Sequence, residues 1–443
     1  MRGKYILQGT FWILVYLFLV CAPLLLLLIG EKPEGREFWR ELSVALGFTG
    51  LAMLSLQFVL TARFKRIKAP YGADIVYHFH RQVSLVALML ILVHPLLLFI
   101  FSPATLRLLN LFTAPWRARA GVTAVVLLFV LISTSLWRTR FKIEYTRWRI
   151  WHGILSVCVV ALAVVHVILA RHYLNTPLKQ ILWITYGLFW LGLLFYIRIL
   201  KPILLMKRPY EIESVNQERG NAWSLTIKPA GHAGIKFMPG QFAWITIGDA
   251  LFSEQEHPFS ISSSASQRER LTFTIKELGD FTRQIKYMKP GQKVYVDGPF
   301  GHFSIDRHPH AEVFILIAGG VGITPMMSML RTLAQRGDKR AVTLIYANRD
   351  WESVIFREEI EQLKDSLNLK LVHVIEKPPE YWIGEIGFIN QSILEHYLPE
   401  ARYKNAFEVF ICGPPTMMKV VEKALVNMDI HFGDFHSEQF RLV

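Results

Sequence analysis

The chain has 443 residues, enough for two or three separate cores, and 52% of them are apolar, with a mean hydropathy of +0.31. Those values exclude a wholly water-soluble protein. Its net charge of +14 gathers in short loops between apolar runs, which argues for membrane lipid and against nucleic acid as the partner. Cys21, Cys158 and Cys412 are far apart, so neither a disulfide framework nor a cysteine-held iron–sulfur cluster is available.

Six uncharged apolar stretches come first, at 5–29, 42–62, 82–102, 120–137, 153–170 and 180–197. A bilayer core about 30 Å thick takes roughly 17–25 helical residues, and lipid leaves no partner for unpaired backbone. The stretches therefore predict a six-helix transmembrane bundle. The first has no small-residue cleavage site and reads as a retained helix. Lys and Arg cluster at the N-terminus (Arg2, Lys4), in the second loop (Arg63, Lys65, Arg66, Lys68), in the fourth loop and after helix six. The opposite loops carry about half as many, so both termini are expected on the cytoplasmic side of the plasma (cytoplasmic) membrane.

The texture changes after Pro209. Short β-rich runs at 223–228, 242–247, 271–276 and 293–296, separated by Gly and Pro, predict a small antiparallel β-barrel. Apolar strands at 313–318, 342–346, 369–374 and 407–412 then alternate with helical segments, predicting an α/β domain with a parallel sheet. The expected domains are the bundle at 1–208, the barrel at 209–306 and the nucleotide domain at 307–443.

Histidine is costly in hydrocarbon and marks function there. Helix three carries His80 and His94, and helix five carries His152 and His166, each pair 14 residues apart. Fourteen helical steps return a side chain to within about 40° of the same face, about 21 Å further along. The two helices run in the same direction, so His80 lies level with His152 and His94 with His166. Two opposed imidazole pairs at two depths are what two six-coordinate haem irons require. His78 is turned away from that face, and His172 lies beyond helix five as a surface residue.

In the soluble half, Gly319-Gly320-Val321-Gly322-Ile323-Thr324-Pro325 follows an apolar strand and opens a helix. Glycines admit a pyrophosphate close to backbone amides at a helix N-terminus, although a plain tight turn has the same composition. Cys412-Gly413-Pro414-Pro415 ends a later strand, and in a parallel sheet both segments lie at the carboxyl edge. His257-Pro258-Phe259-Ser260-Ile261-Ser262-Ser263 offers an aromatic for an isoalloxazine among hydroxyls, and Gly279-Asp280-Phe281-Thr282 starts a helix that can receive phosphate. Arg349 either meets a 2′-phosphate or is a solvated loop charge.

Together with Val296-Asp297-Gly298-Pro299-Phe300-Gly301, these segments make the chain resemble the ferric reductase/NADPH oxidase superfamily over essentially its full length. The resemblance implies a ferric-reductase-type haem domain joined to ferredoxin–NADP reductase-type FAD and nucleotide domains. It implies that His80, His94, His152 and His166 hold two b-type haems, that His257, Phe259, Ser260 and Ser263 contact FAD, and that Thr282 lies at its diphosphate. Gly319, Gly320, Gly322 and Thr324 would cradle NADPH or NADH, Cys412 would lie beside the nicotinamide, and Phe440, in an aromatic tail, would cover the flavin. The implied activity is NAD(P)H-dependent electron transfer across the membrane to dioxygen, making superoxide, or to a ferric chelate, with no obligatory protein partner. The alternative is a haem and flavin subunit exchanging electrons with a quinone or a partner redox protein. Unlike the animal oxidases, the chain has Leu98 where they carry a second outer histidine, and Arg441-Leu442-Val443 follow the last aromatic.

Overall fold

The computed structural model describes residues 2–31, 34–63, 73–248, 256–398 and 407–439, in two compact units that divide between Pro202 and Ile203. Phe440 and the loop residues Lys65, Arg66 and Lys68 lie outside the described residues.

The first unit is helical. Helices α1 (Arg2–Leu27), α2 (Phe38–Thr61), α3 (Ala73–Phe101), α4 (Trp116–Leu136), α5 (Tyr145–Ala170) and α6 (Pro177–Phe195) are apolar and long enough to cross a bilayer. Several outrun the uncharged stretches. The polar residues His78, His80 and Arg81 end the apolar run, but none of them breaks a helix, so α3 starts at Ala73 rather than at residue 82. Helix α6 starts on Pro177 behind Thr176, whose hydroxyl accepts from the Lys179 amide, and passes through a π-helical turn (Tyr196–Leu200) into α7 (Lys201–Met206).

Helix α2 is the inner helix, half buried over its apolar window, whereas α1 and α3 are 11% buried. Gly50 lets it approach α3 closely, since a Cβ there would lie 2.6 Å from Ile91 Cγ1. Phe48, Leu51, Leu54, Ala87, Leu128, Trp183 and Trp190 form the shared core, while Phe11, Leu14, Met89 and Phe129 stay exposed on outward faces. A lipid-facing surface has that pattern, because hydrocarbon solvates apolar side chains as well as a protein core does.

The second unit contains two sheets. Strands β1 (Tyr210–Glu218), β2 (Ala222–Pro229), β3 (Phe242–Ile247), β4 (His257–Ser260), β5 (Leu271–Lys276) and β6 (Lys293–Phe300) form an antiparallel sheet in the order β4-β3-β6-β1-β2-β5. A bridge from Ile261 to Phe273 carries the end of β4 to β5, curling the sheet into a half-barrel around Ile212, Leu225, Ile245, Phe273 and Val296. A short helix, α8 (Asp280–Gln284), follows β5.

Strands β7 (Val313–Gly319), β8 (Ala341–Asp350), β9 (Leu369–Lys377), β10 (Glu385–Ile386), β11 (Phe407–Cys412) and β12 (Phe435–Glu438) form a parallel sheet in the order β10-β9-β8-β7-β11-β12. Strand β7 explains the layering. Phe314, Leu316 and Ala318 face one core with Met326, Leu330 and Leu333 of α9 (Ile323–Arg336) and Ile360 of α10 (Arg357–Leu363). Ile315 and Ile317 face the other, with Ile393 of α11 (Gln391–Tyr397) and Val421 and Leu425 of α12 (Pro415–Asn427). A strand buried on both faces reads as a continuous apolar run. The segment read as an aromatic tail is a sixth parallel strand as far as Glu438, with Phe435 buried in the core.

Polar contacts lock the two sheets of this unit together. Arg331 Nη1 donates to Ser262 O at 2.6 Å, Ser328 Oγ to Ser263 O at 2.8 Å, and the Ala265 amide to Thr332 Oγ1 at 2.9 Å. Arg331 also grips Glu359 through two bonds of 2.6 Å, a bidentate geometry that fixes the guanidinium.

Candidate functional site

In the membrane unit, the four histidines meet in the expected pairs. The ring centres of His80 and His152 are 6.4 Å apart, and those of His94 and His166 are 6.3 Å apart. The paired rings stand edge-on to each other, at interplanar angles of 61° and 71°. Two facing imidazoles are the donor set that a six-coordinate haem iron takes.

Neighbouring helices set the ring nitrogens. Ser43 Oγ donates to His94 O at 2.7 Å, so His94 Nδ1–H donates to the Ser43 carbonyl at 2.8 Å. His166 Nδ1 donates to Arg117 O at 2.7 Å. Ser135 Oγ donates to Leu131 O and therefore accepts from His152 Nδ1 at 3.1 Å. In all three rings the proton is held on Nδ1, leaving the Nε2 lone pair for a ligand. His80 Nδ1 is buried with no partner among the described residues.

Two glycines make room for the His94 and His166 rings. A Cβ on Gly47 of α2 would lie 3.3 Å from His94 Cγ, and one on Gly121 of α4 would lie 2.8 Å from His166 Nδ1. Next to His152, Gly153 admits Arg198, whose Nη2 would lie 2.7 Å from a Cβ there. Sequence reasoning missed Ser43, Ser135, Gly47, Gly121 and Arg198, because each acts across a helix–helix contact with no sequence spacing of its own. His78, expected only to turn away from the paired face, is exposed. His172 is not simply a surface residue: it is partly covered, its ring edge-on to Tyr173 at 4.7 Å and its Nε2 buried.

In the soluble unit, the strand order reverses between β7 and β11, so the loops after those two strands adjoin at the switch point where α/β sheets collect ligands. Glycine is required there. A Cβ on Gly322 would collide with the Cys412 carbonyl, one on Gly319 would lie 2.6 Å from Met417 Sδ, and one on Gly413 would lie 3.0 Å from the Gly319 amide. Gly320 has φ +52° and open space around it. Thr324 and Pro325 lie in the first turn of α9, where Thr324 Oγ1 donates to Val321 O, so they shape the loop from behind. Pro414 caps α12.

Cys412 is fully buried at the end of β11, and burial, with the Glu438 carboxylate adding to it, pushes its thiol well above the usual range. It is a neutral thiol at physiological pH. Arg349 is exposed at the end of β8 and makes no ion pair among the described residues.

On the half-barrel, His257, Pro258, Phe259 and Ser260 form β4 itself. Phe281 of α8 stacks on His257 with ring centres 3.8 Å apart and lies nearly parallel to Phe259 at 6.1 Å, an aromatic shelf that sequence reading missed. Ser260 Oγ is buried with no partner among the described residues, as a ligand-facing hydroxyl is before its ligand binds. Ser263 and Thr282 are otherwise engaged. Ser263 Oγ accepts from the Thr272 amide at 3.1 Å, and Thr282 Oγ1 accepts from the amides of Leu278 and Gly279. Their hydroxyls hold the turns, which leaves backbone groups to meet any ligand.

Residues 46–163 match the ferric reductase like transmembrane component family, 210–304 an FAD-binding domain and 316–423 the oxidoreductase NAD-binding domain. The chain is a ferric reductase/NADPH oxidase-type fusion. With its six spans, the fusion is an integral membrane protein. It is 32% identical over 169 residues to NADH-cytochrome b5 reductase 2 of Phaeosphaeria nodorum, covering 37% of this chain and 50% of that protein. To the Pyricularia oryzae enzyme of the same name it is 33% identical over 171 residues, with the same shares covered. The fusion thus spans about half the length of the curated relatives it matches. Among solved structures, the cytochrome b5 reductase domain of Ulva prolifera nitrate reductase aligns with a TM-score of 0.46 at 22% identity, over 53% of this chain and 97% of that one.

Proposed function

We propose that the fusion oxidises NAD(P)H at the cytoplasmic face of the plasma membrane and passes electrons through FAD and two b-type haems to a ferric chelate or dioxygen on the far side, both termini being cytoplasmic. The observation that carries this reading is the pair of facing imidazole couples, His80 with His152 and His94 with His166, which would hold one haem each. When bound, flavin accepts the hydride pair and haem iron carries single electrons, which is why the two belong in one chain.

The residues present fit those groups. His80 with His152, and His94 with His166, would hold the two haems; in His152, His94 and His166 the Nδ1–H bonds to Ser135, Ser43 and Arg117 leave the Nε2 lone pair free, fix ring orientation and raise ligand basicity. His257, Phe259 and Phe281 form a flat aromatic surface for an isoalloxazine, beside the Ser260 hydroxyl. The Gly319–Gly322 loop and Gly413 would offer backbone N–H groups to the dinucleotide, and Arg349 would pair with a 2′-phosphate, favouring NADPH. A neutral Cys412 beside the nicotinamide puts no charge where hydride leaves.

One further feature favours a second reading. A cavity of about 310 Å³ is lined by Leu24, Val44, Phe48, Glu41 and Tyr173, and the Tyr173 hydroxyl donates to Glu41 Oε2 at 2.8 Å. An apolar slot with a phenol–carboxylate pair suits a membrane quinone as acceptor.

The decisive experiment is anaerobic addition of NADPH to purified protein supplied with FAD, following the haem Soret band. Reduction of the band supports the proposal; a band that stays oxidised sinks it. Reoxidation by ferric citrate, by air with superoxide-dismutase-sensitive cytochrome c reduction, or by a short-chain quinone then identifies the acceptor.

A further inference from the structure

Three side chains from three separate segments converge away from the switch-point loops. His308 follows a 3-10 turn (Ile305–Arg307), Glu408 lies on β11 and His436 on β12. Parallel pairing sets Phe410 opposite His436, so strand alternation brings Glu408, Phe410 and His436 to one face. His308 Nδ1 lies 2.9 Å from Glu408 Oε1, and His436 Nε2 lies 2.9 Å from Glu408 Oε2. One potential ligand atom from each residue falls within 4.8 Å of the others. The two imidazole centres are 4.3 Å apart, and the buried Phe410 ring packs at 5.8 Å from one and 5.1 Å from the other.

We propose that His308, Glu408 and His436 form a binding site for a borderline divalent transition ion, zinc foremost, that staples the C-terminal strand to the nucleotide-binding sheet. The donor set is two imidazoles and one carboxylate, which suits such ions and leaves a fourth position for water. Tetrahedral zinc with bonds of about 2.0–2.1 Å holds neighbouring donors about 3.3 Å apart, so small side-chain shifts close the set around an ion. Before the ion arrives, the imidazole N–H groups and the carboxylate satisfy one another, which accounts for the two hydrogen bonds seen. All three side chains are part-exposed, at 11%, 20% and 27%, so an ion can reach them. Phe410 supplies the apolar wall that strengthens ligation by excluding water. The consequence is local. His436 stands two residues before Glu438, which pairs with Cys412, so the ion restrains the strand beside that thiol.

The test is metal binding, which requires no electron transfer and so stands apart from the proposed reaction. Tag-free, full-length protein in detergent is stripped with chelator, dialysed against zinc and analysed for zinc per chain; haem iron does not interfere. One tightly held zinc per wild-type chain is expected, with binding weakened at least about 10–100-fold in Glu408→Gln and His436→Ala and unchanged in His310→Ala. Magnesium and calcium, which prefer oxygen donors, should not compete. Zinc should also raise the wild-type melting temperature. Absence of stoichiometric zinc in the wild type, or equal binding in Glu408→Gln, overturns the proposal. If a variant misfolds, the wild-type stoichiometry and its competition by magnesium decide alone.

Discussion

The membrane unit and the soluble unit build their sites from different materials. In the membrane, the chemistry rests on side chains: four imidazoles on two helices, steered by serine and carbonyl groups of two others. At the switch-point loops of the soluble unit it rests on backbone: glycines where two loops pass too closely for any Cβ. The solvent explains the contrast. A span in lipid must keep its amides in the helix, so only side chains are left to bind. At strand ends in water, the chain is released to aim its amides at a ligand. A side-chain site should therefore fail when one ligand is lost, whereas a backbone site should fail when volume is added.

The largest effect should come from removing a ligand. His94→Leu is expected to halve the haem content by pyridine haemochrome assay and abolish transfer to the outside acceptor, while flavin content stays unchanged. Gly121→Val, whose Cβ would lie 2.8 Å from His166 Nδ1, should lower haem content in the same direction, whereas Gly192→Ala, with nothing within 4 Å, should not. Full haem content in His94→Leu would break the contrast at its side-chain end.

Adding volume tests the other end. Gly322→Ala drives a Cβ into the Cys412 carbonyl, and overpacking of this kind costs about 1–3 kcal/mol. The KM for NADPH should rise together with a lowered melting temperature. Gly320→Ala meets open space and bears only the left-handed backbone cost of about 1–2 kcal/mol, so its stability loss should appear without a steric clash. Equal KM values in both variants and wild type would mean that the loops do not hold the nucleotide.

A smaller effect concerns pH. Burial holds the His373 imidazole down at about 4, and both its ring nitrogens are buried without partners among the described residues. Its folded-state pKa lies below the unfolded value of about 6.5, so the unfolded chain binds the extra proton first. The stability contribution is complete above pH 6.5 and is lost as pH falls towards 4. Chemical denaturation at pH 7.5 and 5.5, followed by flavin release, should show that loss in the wild type and a shallower one in His373→Leu. The smallest effect is expected at the surface. Arg349→Ala should reduce the preference for NADPH over NADH by about 10-fold, the worth of one charge-assisted hydrogen bond; an unchanged ratio of kcat/KM would assign Arg349 to solvent.

Legibility followed the same division. The six spans, the paired histidines and the strands at 313–318 and 407–412 stood out because each is a periodic or continuous apolar signal over many residues. Strand β1, with only Tyr210 and Ile212 fully buried in a run of polar residues, did not. Nor did β12, four residues whose strand character depends on pairing with β11. Phe281 was quoted within its motif, but its role as half of a stacked pair with His257 was invisible, because the two are far apart in the chain.

What the residues settle by themselves is whatever depends on local periodicity: which segments lie in lipid, which imidazoles share a helix face, and where glycine opens a phosphate-sized turn. Only the tertiary structure decides which nitrogen of each imidazole is left for a ligand, since that depends on Ser43, Arg117 and Ser135 arriving from other helices. It alone also places Cys412 against Gly322 and gathers His308, Glu408 and His436 on one face. Spacing along a chain fixes direction within one element, whereas contact between elements is set by packing that no single element encodes.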